Sequence, residues 1–169
     1  MFILETERLI LKEFTAEDAT FILSLLNSPG WLQNIGDRNV KSEADALQYI
    51  EEKLQSSYEQ YGYGLYLVKL KSGPKIGMCG LVKRDYLDAP DIGFAMLPEH
   101  TNQGYGYESS LAVLAYAQKE LNEKIILGIT LPTNHASIKL LEKIGLIAVE
   151  KFSPPGDTDT LLLFSNEKS

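Results

Sequence analysis

The stretch Pro98-Glu99-His100-Thr101-Asn102-Gln103-Gly104-Tyr105-Gly106-Tyr107-Glu108 lies between an extended apolar run, Asp91–Leu97, and a run with helical spacing, Ser109–Leu121. A glycine-rich turn that leaves a strand and opens a helix presents several unpaired backbone N–H groups in one direction, with the positive end of the helix dipole behind them. The segment therefore predicts a local architecture, strand–turn–helix, and a ligand chemistry, since such a turn cradles phosphate.

Two common phosphate motifs do not fit. The dinucleotide fingerprint would begin at Gly104 and Gly106 but meets Ser109 at its third glycine, and the acidic residue expected after a second strand is absent. The P-loop fails because no Gly-Lys-Ser/Thr triplet occurs.

Composition narrows the classes further. With 169 residues, 44% hydrophobic and 23% charged, the chain has the make-up of one folded domain spanning 1–169. A net charge of −7 argues against nucleic acid, which needs a basic face, and is compatible with a cationic acceptor such as an amine. Cys79 is the only cysteine and sits in an apolar run, so it reads as a small buried hydrophobe in a reducing compartment. No apolar stretch is long enough for a bilayer, and the expected location is the cytoplasm, with no membrane partner.

Along the chain, Arg8–Phe14 reads as a strand, and Thr15 with Asp18 opens a helix running to about Asn27. Residues Ser28–Arg38 read as a loop in which Trp31 either anchors packing or lines a cleft. Ser42 with Asp45 starts a second helix through Tyr58. Gly64–Leu70 and Ile76–Arg84 form a hairpin, followed by the strand Asp91–Leu97. The turn's helix should pack on the sheet through Leu111, Leu114, Ala115 and Leu121. Ile125–Thr130 then makes a parallel strand–helix–strand unit with Asp91–Leu97. Asn134 caps a helix whose inner face is Ile138, Leu141 and Ile144, and Leu146–Phe152 and Thr160–Phe164 close the sheet. The tail from Ser165 should fray.

The turn Gln103-x-x-Gly106, with Tyr107 following, resembles the Q-x-x-G-x-G/A turn of the GNAT superfamily of N-acetyltransferases, in particular the branch that acetylates ribosomal-protein N-termini. Asn134-His135-Ala136-Ser137-Ile138-Lys139-Leu140-Leu141-Glu142-Lys143-Ile144-Gly145-Leu146 resembles that family's second signature, and Thr6-Glu7-Arg8-Leu9-Ile10-Leu11 its opening strand. The loop Asn34-Ile35-Gly36-Asp37-Arg38 looks like the segment that covers the acceptor in the ribosomal branch. The likeness runs from Thr6 to about Leu163. It implies an α/β (α+β) fold whose mixed, mostly antiparallel sheet of six to seven strands splays between the fourth and fifth, flanked by about four helices.

The resemblance also implies acetyl-coenzyme A as cosubstrate, no metal, and an amine-bearing acceptor: a protein N-terminus or a small amine. Gln103, Gly104, Tyr105, Gly106, Tyr107 and Glu108 would meet the pyrophosphate, and N–H groups near Met96 and Leu97 the thioester carbonyl. Asn134 either contacts the cofactor or amine or simply caps its helix, and Lys139 and Lys143 either reach the terminal phosphate or are solvated. Glu108 stands where Gly or Ala is usual; it either hinders the pyrophosphate or complements the helix dipole. Where many relatives carry a Tyr acid this chain has Leu141, so Ser137 becomes the candidate acid, or else a locally bonded helix residue, and Asp91 and Glu13 are the candidate bases. An α-amine, with a pKa of about 7.7–8.0 against about 10.4 for lysine, needs less help from a base. The competing expectation is a noncatalytic acyl-coenzyme A binding or sensing module.

Overall fold

The computed structural model describes residues 1–167. The strands are β1 (Phe2–Glu5), β2 (Leu9–Lys12), β3 (Leu65–Leu70), β4 (Lys75–Val82), β5 (Asp91–Met96), β6 (Leu127–Thr130), β7 (Ile147–Phe152) and β8 (Leu161–Ser165). The helices are α1 (Ala19–Leu26), α2 (Pro29–Asn34), α3 (Glu43–Tyr49), α4 (Ser56–Tyr61), α5 (Tyr105–Lys119) and α6 (His135–Lys143). A π-helical stretch, Ile50–Gln55, joins α3 to α4 without a break.

The strands form one open sheet in the order β1-β2-β3-β4-β5-β6-β8-β7, antiparallel throughout except for β5 beside β6. Its eight strands exceed the expected count by β1, whose four residues carry too short a pattern to read without the partner it pairs with, β2. Residues 29–34 are helical where a loop was expected, because Pro29 occupies the first turn, where a missing N–H costs nothing. The capping at Ser42 is as the spacing predicts, with its hydroxyl accepting from the Asp45 N–H at 3.1 Å.

Alternation along β5 sends Phe94 and Met96 to one face and Ala95 and Leu97 to the other. The first face packs with α5 and α6 around Leu9, Leu11, Val113, Leu114, Ala117, Leu141 and Phe164. The second packs with α1–α3 and the π-helical stretch around Phe14, Ile22, Leu25, Trp31, Ile50 and Leu54.

The buried face of α5 is Ser109, Ser110, Val113, Leu114 and Ala117, while Leu111 is 43% exposed. Hydrophobicity alone misplaces this face because serines begin it. Ser110 reaches the Cys79 sulfur at 3.6 Å, so the small residues let the helix sit close on β4. The segment after Ser165 is tied down where fraying was expected: Asn166 donates its main-chain N–H to Ile126 O at 3.1 Å and accepts the Ile126 N–H on its side-chain oxygen at 2.8 Å. The last two residues of that expected tail lie outside the described residues.

Candidate active site

β5 and β6 share a single register pair, Asp91 opposite Leu127, with the Leu127 N–H donating to Pro90 O at 2.9 Å. Beyond that pair the two strands diverge. The Leu97 N–H donates to Ile76 O at 2.8 Å. In an antiparallel pair the bonding direction alternates, so the N–H groups of Phe94 and Met96 face the gap. Leu97 is thus corrected as an oxyanion donor, because β4 already takes its N–H. Phe94 carries the gap-facing N–H that the sequence reading missed. Only the register of β4 against β5 could reveal it.

A cleft of about 930 Å³ runs through this gap. On the α5–α6 side it is lined by Gly104, Tyr105, Gly106, Asn134, Ser137 and Leu140; on the other side by Trp31, Asn34, Arg38, Tyr49, Lys53 and Tyr61. The divergence of two strands therefore connects both faces of the sheet at one place.

At the mouth, Gly104 adopts a φ of +85°, which a side chain would strain, and α5 begins beyond it. The first intrahelical bond of α5 is Glu108 N–H to Gly104 O at 2.9 Å. The N–H groups of Tyr105, Gly106 and Tyr107 precede it and have no place in the helix ladder. A Cβ on Gly106 would lie 3.3 Å from the Leu140 side chain, so α6 closes against the turn there. The Gln103 side chain is spent within the turn, donating to Glu99 O at 2.9 Å.

Glu108 is bound by Thr6 and Arg8. One of its oxygens accepts from the Thr6 hydroxyl and from the Arg8 N–H at 3.0 Å; the other accepts from Arg8 Nε at 2.7 Å. Partial burial alone would raise this carboxyl, but the bonds from Thr6 and then Arg8 outweigh it and hold it below its ordinary range. The Arg8 guanidinium also donates to Gln103 O at 3.1 Å and lies 4.4 Å from the centre of the Tyr105 ring. Across the turn, the Lys143 ammonium sits 4.2 Å from the centre of the Tyr107 ring. The carboxylate is neutralised, and cations flank the cradle on both sides. Arg8 is the residue sequence reasoning missed; its only signal was membership of the opening motif.

The remaining candidates separate. Asn134 accepts the Ser137 N–H at 3.2 Å, as a helix cap does, while both residues line the cleft. Lys139 is exposed on α6. Leu141 is buried, its side chain packed over Gly128, so the position where many relatives carry a tyrosine belongs to the core in this chain. Asp91 is 1% exposed and pairs with Arg84 Nε at 2.8 Å. Burial pushes its carboxyl up, against the pull of Arg84. Glu13 does not line the cleft. Its charge instead bears on Tyr58, Tyr66 and Tyr116, and the expectation that it opens toward the acceptor is corrected.

The model of the acetyltransferase (GNAT) domain family matches residues 8–147. The chain is 28% identical over 145 residues to the uncharacterized N-acetyltransferase YoaA of Bacillus subtilis, covering 85% of this chain and 81% of that protein. An acetyltransferase from Agrobacterium tumefaciens superposes with a TM-score of 0.81 at 22% identity, covering 98% of this chain and 94% of that one. RimL, a ribosomal L7/L12 alpha-N-protein acetyltransferase solved in complex with coenzyme A, superposes with a TM-score of 0.82 at 15% identity, covering 98% and 97%. Likenesses at these identities establish the shared fold.

Proposed function

Because this chain belongs to the GNAT family of acetyltransferases, we propose that it transfers an acetyl group from acetyl-coenzyme A to the α-amine of a protein or peptide N-terminus, in the manner of the ribosomal-protein branch. The observation that carries the choice of amine is the pairing of Asp91 with Arg84. The cleft holds two carboxylates, Glu52 and Asp91. Glu52 is exposed, and the buried Asp91 is committed to its guanidinium. A site without a free buried carboxylate suits an acceptor that loses its proton near neutrality, which an α-amine does and a lysine side chain does not.

The cosubstrate supplies an acetyl group activated as a thioester. The N–H groups of Tyr105, Gly106 and Tyr107, with Arg8 behind them, hold the pyrophosphate in this reading. Lys143 and Lys139 take the terminal phosphate, and Asn134 orients the bound arm. Phe94 and Met96 donate to the carbonyl oxygen as negative charge gathers there. The amine nitrogen forms the new bond to the acetyl carbon as the carbon–sulfur bond breaks; its proton passes to water, and Ser137 relays a proton from water to the departing thiolate. We take the cytoplasm as the place of action, given the chain's lone cysteine, which has no disulfide partner.

Release of free coenzyme A, measured with a panel of amines, tests the reading. Turnover of peptides with a free α-amine, lost when that amine is blocked, supports it; turnover confined to polyamines or lysine side chains overturns it. Binding of acetyl-coenzyme A without turnover on any amine would leave a noncatalytic binding module.

A further inference from the structure

The wall of the cleft opposite the phosphate turn has a charge opposite to that of the molecule. The chain carries a net −7. Yet this wall presents four cations, Arg38, Lys53, Lys83 and Arg84, against the two carboxylates Glu52 and Asp91. Arg84 and Asp91 cancel as a pair. Lys83 donates to the carbonyls of Arg84 and Leu87, at 3.3 and 3.4 Å, and has no carboxylate partner among the described residues. Arg38 and Lys53 form no ion pair among the described residues, although both are exposed and acidic groups are plentiful on this chain. Uncancelled cations gathered in a concave site focus potential there and draw in an anion.

A second observation points the same way. Trp31 is 5% exposed and lines this wall, and among the described residues its indole nitrogen is the one buried side-chain polar atom without a hydrogen-bond partner. A buried N–H without an acceptor is rare in folded proteins unless a ligand or water completes it.

We infer that the acceptor wall formed by Trp31, Arg38, Lys53 and Lys83 selects peptides whose first residues carry an acidic side chain. The α-amine enters the gap at Phe94 and Met96 while the neighbouring carboxylate settles against the cationic wall. The preference follows from charge, so it weakens with ionic strength. It deepens the proposed function and rests on it. A polyamine or a basic peptide meets like charge in the same place.

The experiment compares kcat/KM for three synthetic peptides of equal length with free α-amines, bearing Asp-Glu, Ser-Ala or Lys-Arg at the second and third positions. It uses the full chain and the variants Arg38→Glu and Lys53→Glu. The expected result is a preference for the acidic peptide that shrinks with added salt and falls by about fivefold for each charge removed, the upper range for an exposed pair, and by more on reversal. Affinity for acetyl-coenzyme A, measured by calorimetry, stays constant in the variants and shows that they are folded. Turnover of all three peptides at equal rates, or fastest on the basic one, overturns the inference and leaves the α-amine reading standing. Turnover of none of them, with other amines acetylated, overturns both.

Discussion

Arg8, in the bend just before β2, and Glu108 on α5, 100 residues apart in sequence, meet at 2.7 Å, and the same guanidinium holds Gln103 O at 3.1 Å. The glycine turn is therefore pinned to the segment that leads into β2. Glu108 serves as an anchor of the turn, because Thr6 and the Arg8 guanidinium satisfy its carboxylate.

Glu108→Ala is expected to loosen this anchor. Calorimetry should show the Kd for acetyl-coenzyme A rising by about fivefold, the equivalent of about 1 kcal/mol for a largely surface pair. Arg8→Ala should act alike, and the double variant should lose little more than either single one, the mark of two residues working as a unit. Tighter binding by Glu108→Ala would mean that the carboxylate opposes the pyrophosphate after all.

The same pair predicts an acid limb of stability. Glu108 is held below its ordinary value of 4.5 in the folded state, so its contribution is present above that value and disappears as pH falls through the lower folded value. The gap in Tm between the wild type and Glu108→Gln should close as pH drops below about 4.5. A gap that stays constant into the acid range would show that the carboxyl is not shifted.

Asp91→Asn should destabilise the protein by about 3 kcal/mol, because it leaves the Arg84 charge largely buried and unpaired. Adding Arg84→Met should restore part of that loss, which denaturant titration would measure. With an α-amine peptide, the acid limb of the pH–rate profile should persist in the double variant, since the amine itself titrates there. Loss of that limb would identify Asp91 as the base.

Ser137→Ala should lower kcat while leaving affinity for acetyl-coenzyme A nearly unchanged, with a drop of about 10²-fold if the hydroxyl is the proton donor. An unaltered rate in steady-state assays would reduce Ser137 to a residue of the first turn of α6.

Burial pushes the Cys79 thiol up to about 11 from an ordinary value of 9.0. The fold favours the neutral form, so the associated stability is complete below pH 9 and is lost as pH climbs toward 11. Native protein at neutral pH should resist thiol-alkylating reagents, and denaturant should expose one reactive thiol. Rapid native labelling would contradict this packing.

The strands β2 to β6 and the helices α5 and α6 were legible because each carries its own period and its own punctuation, such as Gly104 before α5 and Asn134 before α6. β1 was not, since four residues become a strand only by pairing with β2. The inward face of α5 was misread for a related reason: Ser109 and Ser110 are buried by close approach to β4, which no hydrophobic scale rewards. Among the site residues, the glycine turn could be read locally as the junction of a strand and a helix. Glu13 could not, because whether a strand-end carboxylate faces a cleft depends on which neighbours surround it.

Sequence by itself determined the strand–turn–helix unit, the capping of α6 and the run of main-chain N–H groups that opens α5, all of which depend on residues within a few positions of one another. Tertiary structure alone decided that Leu97 gives its N–H to Ile76 while Phe94 keeps its own free, that Arg8 disarms Glu108, and that Arg84 claims Asp91. Those outcomes turn on strand register and on contacts between distant segments. Local periodicity carries no term for either, because a hydrogen bond or an ion pair is specified by where two groups meet in space rather than by how far apart they stand along the chain.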